Sequence, residues 1–449
     1  MLADLVRKYD RAVPRYTSYP TADQFGCGVD DACYRRWLGE LAAHTALSLY
    51  LHVPFCAELC WFCGCHTRVV RDLEPIAAYA EALAREIDLV ADMLDAPRPV
   101  RHVHWGGGTP TILGSRDIRR LLERLRRRFD IEDGAEVAVE IDPRRVTRET
   151  VAALASSGVN RASLGVQDLD PAVQRAVNRI QPYDVCARAV DWLRAHGITE
   201  ISLDLMYGLP HQTVAGIVAT VDKAVALEPR RLALFGYAHV PWMKRHQRLI
   251  DESALPDTVE RLELFRAAAS RLAEWGYVAV GLDHFALPDD PLAVAARTGR
   301  LRRNFQGYTT DTAPALLGFG ASAISTLPQG YAQNTVKIRA YRKAVDDGAL
   351  AVVRGVALTA DDRLRGAVIE RLMCDLAVDL DPVCRAQGAD ASAFTGELEA
   401  LRPLVRDGLV RVEGHRVTVP DDRRPFLRVA CAVFDRYLDP AATRHARAV

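Results

Sequence analysis

From Ser48 onward, short runs rich in β-branched and other apolar residues alternate with longer amphipathic stretches, and the alternation repeats. SLYLHVPF reads as a strand, and a helix is expected over about 75–94. VRHVHW reads as a second strand, GGGTPT as a loop, and Ile118, Leu121, Leu122 and Leu125 then recur on one face of an arginine-rich helix. Further strands are expected at 136–141, 161–166, 200–207, 231–237 and 277–282, nearly all separated by helical stretches. Such β/α units build a parallel sheet with helices outside, and barrels of this class gather their chemistry at the carboxyl ends of the strands. Cys56, Gly106, Glu140, Gln167, Asp204 and Ala238 all fall at or just past a predicted strand end.

The flanks read differently. Residues 1–47 combine an irregular, proline-punctuated opening with one helical stretch near 32–44. Tyr16, Tyr19, Phe25 and Trp37 are costly to leave in water, so this segment is expected to cover the mouth of the next domain, 48–287. In 288–353 the repetition fades, and the stretch 304–324, rich in Gly, Thr and aromatics, is expected to connect back to the site. A small helical module fills 354–449, with helices near 361–376 and 394–406, a hairpin turning at Glu413 and Gly414, and a last helix to about residue 437.

Helices plus a hairpin resemble a winged helix, whose first association is DNA. Lys plus Arg and Asp plus Glu number 58 each, however, so no net field draws nucleic acid or an anionic membrane, and the module is read as packing or lid. No window of eighteen uninterrupted apolar residues and no signal-peptide pattern appears, and a cytoplasmic protein is expected. Cys27, Cys33, Cys186, Cys374, Cys384 and Cys431 lack framework spacing and read as buried thiols of a reducing compartment.

The other four of the ten cysteines crowd into YLHVPFCAELCWFCGCH: Cys56, Cys60, Cys63 and Cys65. Structural zinc usually takes two C-x-x-C knuckles some distance apart, and no second knuckle follows. An iron-sulfur cluster held by three of these thiolates would keep one iron open to an outside ligand. Cys65 lies only two residues past Cys63, where side chains tend to point apart, and is read as a non-ligand with a functional role.

This loop resembles that of the radical S-adenosylmethionine superfamily. PRYTSYPTA at 14–22, the C-x-C ending of the loop, HWGGGTPT at 104–111 and NFQGYTT at 304–310 together look like the oxygen-independent coproporphyrinogen III oxidase family of heme biosynthesis. The resemblance implies an incomplete (β/α)6 TIM-like barrel with an N-terminal covering segment and a small, mainly helical C-terminal domain. It implies a 4Fe-4S cluster on Cys56, Cys60 and Cys63, with Phe62 shielding it, and catalytic roles for Cys65 and Tyr50. It places Tyr50, Phe62, Gly107, Gly108, Thr109, Glu140, Gln167, Arg179, Asp204, Ala238 and Ile324 round S-adenosylmethionine, in two molecules. His52 shares a strand face with Tyr50, and Arg179 is followed by Ile180 where family members often carry an acid. The glycines of 106–108 free backbone N–H groups to approach an anionic or zwitterionic ligand, and in the superfamily this segment binds the cofactor's amino group.

The implied substrate is a porphyrinogen whose propionates become vinyl groups, which requires breaking an unactivated C–H bond that no general base can deprotonate. Arg15, Lys244 and Arg303 are candidates for its carboxylates. An electron donor such as flavodoxin or ferredoxin, an unidentified electron acceptor and a monomeric state are also implied. Relatives that act as heme chaperones are the alternative. They generally lack the PRYTSYPT segment and the C-x-C ending, both present here.

Overall fold

The computed structural model describes residues 2–439. Six parallel strands carry the architecture: β1 (Leu47–Val53), β2 (Pro99–Gly107), β3 (Asp130–Ile141), β4 (Arg161–Gln167), β5 (Glu200–Tyr207) and β6 (Arg231–Gly236). They neighbour one another in chain order, because each crossover runs through a helix laid outside the sheet. β1 is buried along nearly its whole length, as a strand covered on both faces must be. Side-chain caps start the outer helices: Thr147 accepts from Thr150 N, Thr213 from Gly216 N, and Asp257 forms a capping box with Glu260.

The six strands lie inside a twelve-stranded mixed sheet that does not close. Beyond β1 it continues through Ala315–Phe319, parallel to β1, and then through antiparallel strands Ile324–Leu327, Gly330–Asn334 and Val352–Ala357. Much of the expected connecting segment is therefore sheet. Beyond β6 lie His284–Ala286 and Val278–Val280. The strand expected at 277–282 is thus short, lies at the edge and pairs antiparallel with its successor. Three residues separate the two, far too few for a parallel crossover.

A second core joins both chain ends. Val6, Tyr9, Tyr16 and Tyr19 pack with Leu372, Phe394, Phe426 and Phe434 of the C-terminal module. The opening aromatics therefore divide, which corrects the picture of a simple cover. Tyr16 and Tyr19 enter this second core, Trp37 enters the barrel core, and Phe25 stacks on Tyr331 at 5.6 Å. Buried Arg98 ties the segment down, donating to the Leu41 and Ala43 carbonyls.

Several elements depart from expectation near breakers. The helix expected to about residue 44 is Asp31–Gly39. The stretch 394–406 is broken into Thr395–Ala400 and Arg402–Arg406, where Pro403 brings no N–H. The hairpin pairs Arg411–Glu413 with Arg416–Thr418, so it turns at Gly414 and His415, one residue late, with Gly414 at φ +59°. An unexpected strand, Ala377–Asp379, adds to it. The last α-helix spans only Leu427–Cys431. All ten cysteines are free; Cys27 is exposed and Cys33 half-buried, contrary to expectation. Among the described residues no helix is long and apolar enough to cross a membrane.

Candidate functional site

The carboxyl ends of the parallel strands form one rim, and register decides which side chains meet there. Tyr50 pairs with His104 and His52 with Gly106 across β1 and β2. Tyr50 Oη lies 3.0 Å from His52 Nδ1, and His52 Nε2 donates to the His66 carbonyl at 3.0 Å. A carbonyl only accepts, so the imidazole carries its proton on Nε2 and takes the Tyr50 hydroxyl on Nδ1. Burial lowers the His52 pKa to about 4 and keeps the ring neutral. The loop end at His66 is thereby fixed to the first strand.

Each of the three cysteines at C-x-x-x-C-x-x-C spacing faces donors. Thr67 Oγ1 donates to Cys56 Sγ at 3.1 Å and Thr109 Oγ1 at 3.5 Å. Cys60 Sγ receives Arg179 Nη1 at 3.3 Å and Arg144 Nη2 at 3.4 Å. A hydrogen bond from Cys65 chiefly lowers the Cys63 thiol to about 6 against burial, with Lys244 and Arg179 adding their charge. Donating to Cys63 in turn pushes the Cys65 thiol well up. The two side chains meet rather than point apart, which corrects the expectation from spacing: residues 57–67 form no strand, so the alternation that would separate them does not apply. Donors aimed at sulfur are what thiolate ligands need. Among the described residues no three His, Cys, Asp or Glu side chains are drawn round one metal ion. Three thiolates with donors on their sulfurs fit a cluster that keeps one iron open to an outside ligand.

The glycine run is tight. A Cβ on Gly106 would stand 2.7 Å from Glu140 Oε1, and one on Gly107, at φ +115°, 2.8 Å from the His52 ring. The N–H groups are spent within the protein: Gly107 N on Glu140 Oε2, Gly108 N on the Val53 carbonyl, Thr109 N on the Phe55 carbonyl. The expected presentation of N–H groups is therefore corrected.

Further round the rim, Glu140 accepts from His104 Nε2 at 3.1 Å. Burial alone would raise its carboxyl, but this bond, the His104 charge and the Gly107 N–H hold it below the usual range. Gln167 sits at φ +66°, and its Oε1 is buried without a partner among the described residues. Arg179 spans from Cys60 to the Gly165 carbonyl, 2.6 Å away. Asp204 accepts from Ser163 at 3.1 Å, and burial followed by Glu140 repulsion raises it to about 6. Glu140 and Asp204 share an inner cavity of about 200 Å³ that Asn304, Gln306 and Tyr308 also line.

Other expected residues pack round the loop. Phe62 is buried with Cys60, Tyr237, Val173 and Ile250, Cys63 packs against this group, and the Phe62 carbonyl takes Gln247 Nε2. Gln247 also holds the Ala238 carbonyl at 3.1 Å. Ile324 opens the strand next but one to β1, and its carbonyl would clash at 2.6 Å with a Cβ on Gly318. Lys244 Nζ donates to the Cys65 carbonyl at 2.9 Å and His246 lies 2.8 Å from that of Cys63. Arg15 and Arg303, by contrast, line an outer cavity of about 530 Å³ beside Ala238, and Arg261 and Arg428 join them. Sequence reasoning gave no role to Thr67, His104, Arg144, Arg261 or Arg428; only His104, inside a recognised motif, and Thr67, beside one, carried any local signal.

An open parallel barrel with a three-cysteine loop at its rim defines a radical S-adenosylmethionine protein. The model of the radical SAM superfamily matches residues 50–224. Over its whole length the chain is 52% identical to the oxygen-independent coproporphyrinogen III oxidase of Bradyrhizobium diazoefficiens, with 100% of both chains covered. It is 44% identical to that of Paracoccus denitrificans, over 98% of this chain and 97% of the relative. The solved coproporphyrinogen III oxidase of Escherichia coli, described as a radical SAM enzyme, superposes with a TM-score of 0.91 at 40% identity, covering 97% of this chain and 99% of that one. The chain belongs to the oxygen-independent coproporphyrinogen III oxidase family of the radical SAM superfamily.

Proposed function

We infer that this protein is a radical SAM oxidoreductase that oxidatively decarboxylates two propionate side chains of coproporphyrinogen III to vinyl groups, without oxygen, giving protoporphyrinogen IX for heme. The observation that carries the reading is the donor-ringed trio Cys56, Cys60 and Cys63 on a chain collinear with relatives of that activity.

In this reading the three thiolates hold a 4Fe-4S cluster and Cys65 stays outside it, donating to Cys63. The carbonyls of Gly107 and Gly108, the Thr109 segment and Glu140 receive the ammonium and ribose of one S-adenosylmethionine, with Tyr50 and Ile324 at its edge. Gln167, Arg179, Asp204, Ala238 and Phe62 receive a second. A cluster held there would supply one electron for reductive cleavage of S-adenosylmethionine, the chemistry by which a propionate C–H bond can be broken and carbon dioxide and one further electron lost. The N-terminal segment and the hairpin of Arg302–Asn304 and Gly307–Thr309 exclude water from this chemistry. A flavodoxin or ferredoxin supplies the electrons, a separate acceptor removes those of the substrate, and the enzyme works as a cytoplasmic monomer.

The test is anaerobic. The reconstituted protein is given reductant, S-adenosylmethionine, an electron acceptor and coproporphyrinogen III, and products are followed by chromatography and mass. Loss of two carbon dioxide units coupled to 5'-deoxyadenosine supports the reading; cofactor cleavage without decarboxylation sinks the substrate assignment.

A further inference from the structure

Four arginines from distant parts of the chain converge on the outer cavity: Arg15 from the opening segment, Arg261 from the helix Thr258–Glu274, Arg303 from the hairpin and Arg428 from the last helix. Like charges gathered into one partly buried space repel and lose hydration, a cost normally offset by an anion. The carboxylates on the same wall offset it only in part, through Asp283. Asp283 pairs with His284 Nδ1 at 2.8 Å, Glu252 with His239 Nε2 at 2.9 Å, and Asp257 caps its own helix. Among the described residues no ion pair joins Arg15, Arg261 or Arg303 to any acid within 4.0 Å.

The individual guanidiniums are held by walls and carbonyls. Arg303 lies 4.4 Å from the Tyr308 ring centre and donates to the Tyr16 and Arg15 carbonyls, while its Nη1 is buried without a partner. Arg261 lies 5.5 Å from the Tyr207 ring centre, against Gly208, whose missing Cβ gives it room. Arg15 Nη2 donates to the Gly236 carbonyl at the end of β6. Burial, then the neighbouring Arg15, lowers Arg428 to about 10, while Asp283 stays ionised near 2 through His284, Arg303 and Arg15 despite its burial. Between the cations the walls are aromatic, with Phe235, Tyr237, Trp242 and Phe265.

We propose that this cavity seats the tetrapyrrole, and that Arg15, Arg261 and Arg303 bind the propionate carboxylates that are not consumed, with Arg428 in the wall beside them. The proposal rests on the function inferred above and adds the residues that hold its substrate. A volume of about 530 Å³ suits a flat organic ligand, aromatic faces suit its rings, and guanidinium forks suit carboxylates bidentately. No residue of the cysteine loop lines this cavity, although Tyr237 on its wall packs with Cys60 and Phe62 of that loop. A carboxylate held there is anchored rather than brought to the reacting centre. Two arginines come from the terminal segments, so the site is complete only when the second core has formed.

The reconstituted holoenzyme and its Arg261→Gln, Arg261→Lys and Arg303→Gln variants are titrated, by fluorescence, with coproporphyrin III, mesoporphyrin IX and etioporphyrin. Mesoporphyrin keeps only the two propionates that survive the reaction, and etioporphyrin has no carboxylate. We expect affinity for both acidic porphyrins to fall about tenfold or more in each Gln variant, the loss of one charge-assisted hydrogen bond, with partial rescue by Lys. Etioporphyrin binding stays unchanged, and S-adenosylmethionine cleavage without substrate reports that the rim is intact. KM for coproporphyrinogen III rises in step. Unchanged binding of the acidic porphyrins in the Gln variants, with turnover intact in the parent chain, overturns the cavity assignment alone. Failure of the parent chain to convert coproporphyrinogen III overturns the function as well.

Discussion

Arg179 Nη1 stands 3.3 Å from Cys60 Sγ while its Nη2 holds the Gly165 carbonyl at 2.6 Å, so one guanidinium ties the rim of β4 to the cysteine loop. A positive donor on a ligand sulfur stabilises the more negative, reduced state of a cluster. Arg179→Gln is therefore expected to keep the cluster and make its midpoint potential more negative by tens of millivolts, where about 59 mV is a tenfold shift in a one-electron equilibrium. A redox titration followed by electron paramagnetic resonance, without S-adenosylmethionine, measures it. An unshifted potential would remove Arg179 from the cluster's surroundings.

The cysteines should separate cleanly. Cys56→Ser, Cys60→Ser and Cys63→Ser each lose bound iron and sulfide after reconstitution. Cys65→Ser keeps both and the visible absorbance, yet loses turnover. Iron analysis distinguishes them, and loss of the cluster in Cys65→Ser would make it a ligand after all.

At Gly106 the added methyl of Ala would stand 2.7 Å from Glu140 Oε1, so the carboxylate must swing away from His104 and Gly107. Overpacking of this kind costs about 1–3 kcal/mol. Gly106→Ala is expected to weaken S-adenosylmethionine binding by at least about tenfold with the iron content unchanged. Calorimetric titration of the reconstituted protein tests this, and parent-like affinity would contradict it.

Glu86 predicts a pH effect on stability. Its side chain is buried on Tyr341 Oη, Gly320 N and Asn334 Nδ2, and burial raises its pKa to about 7 despite these bonds. The folded state thus binds the proton more tightly than the unfolded chain. The associated stability is complete below the unfolded value, drains away as pH rises towards about 7, and is constant above that. The total is up to about 3 kcal/mol at 1.36 kcal/mol per unit. Urea unfolding of the parent and Glu86→Gln from acid to neutral pH should show a decline that the variant lacks. Parallel curves would refute it.

Much of the barrel was legible because a strand buried on both faces and a helix with one apolar stripe leave distinct periods. The strand at 200–207 agrees to the residue, and Ile118, Leu121, Leu122 and Leu125 are the buried face of their helix. Boundaries failed where a local breaker acted. Pro403 split a helix, and a three-residue link turned the strand after Tyr277 antiparallel.

Of the site, the sequence by itself determined the spacing of Cys56, Cys60 and Cys63, the glycines at 106–108 and the motif likeness that names the family. These are short-range facts, since a loop's ligands and a glycine's missing Cβ belong to neighbouring residues. Tertiary structure alone decided that Thr67 and Arg144 serve cysteine sulfurs, that Cys63 meets Cys65, that the glycine N–H groups are already spent, and that four distant arginines share one cavity. Arg15 and Arg428 lie 413 positions apart, yet Val13, two residues before Arg15, gives its carbonyl to Arg428. Their approach comes from burying the apolar and aromatic side chains of both chain ends in one core, a consequence of packing that no local pattern encodes.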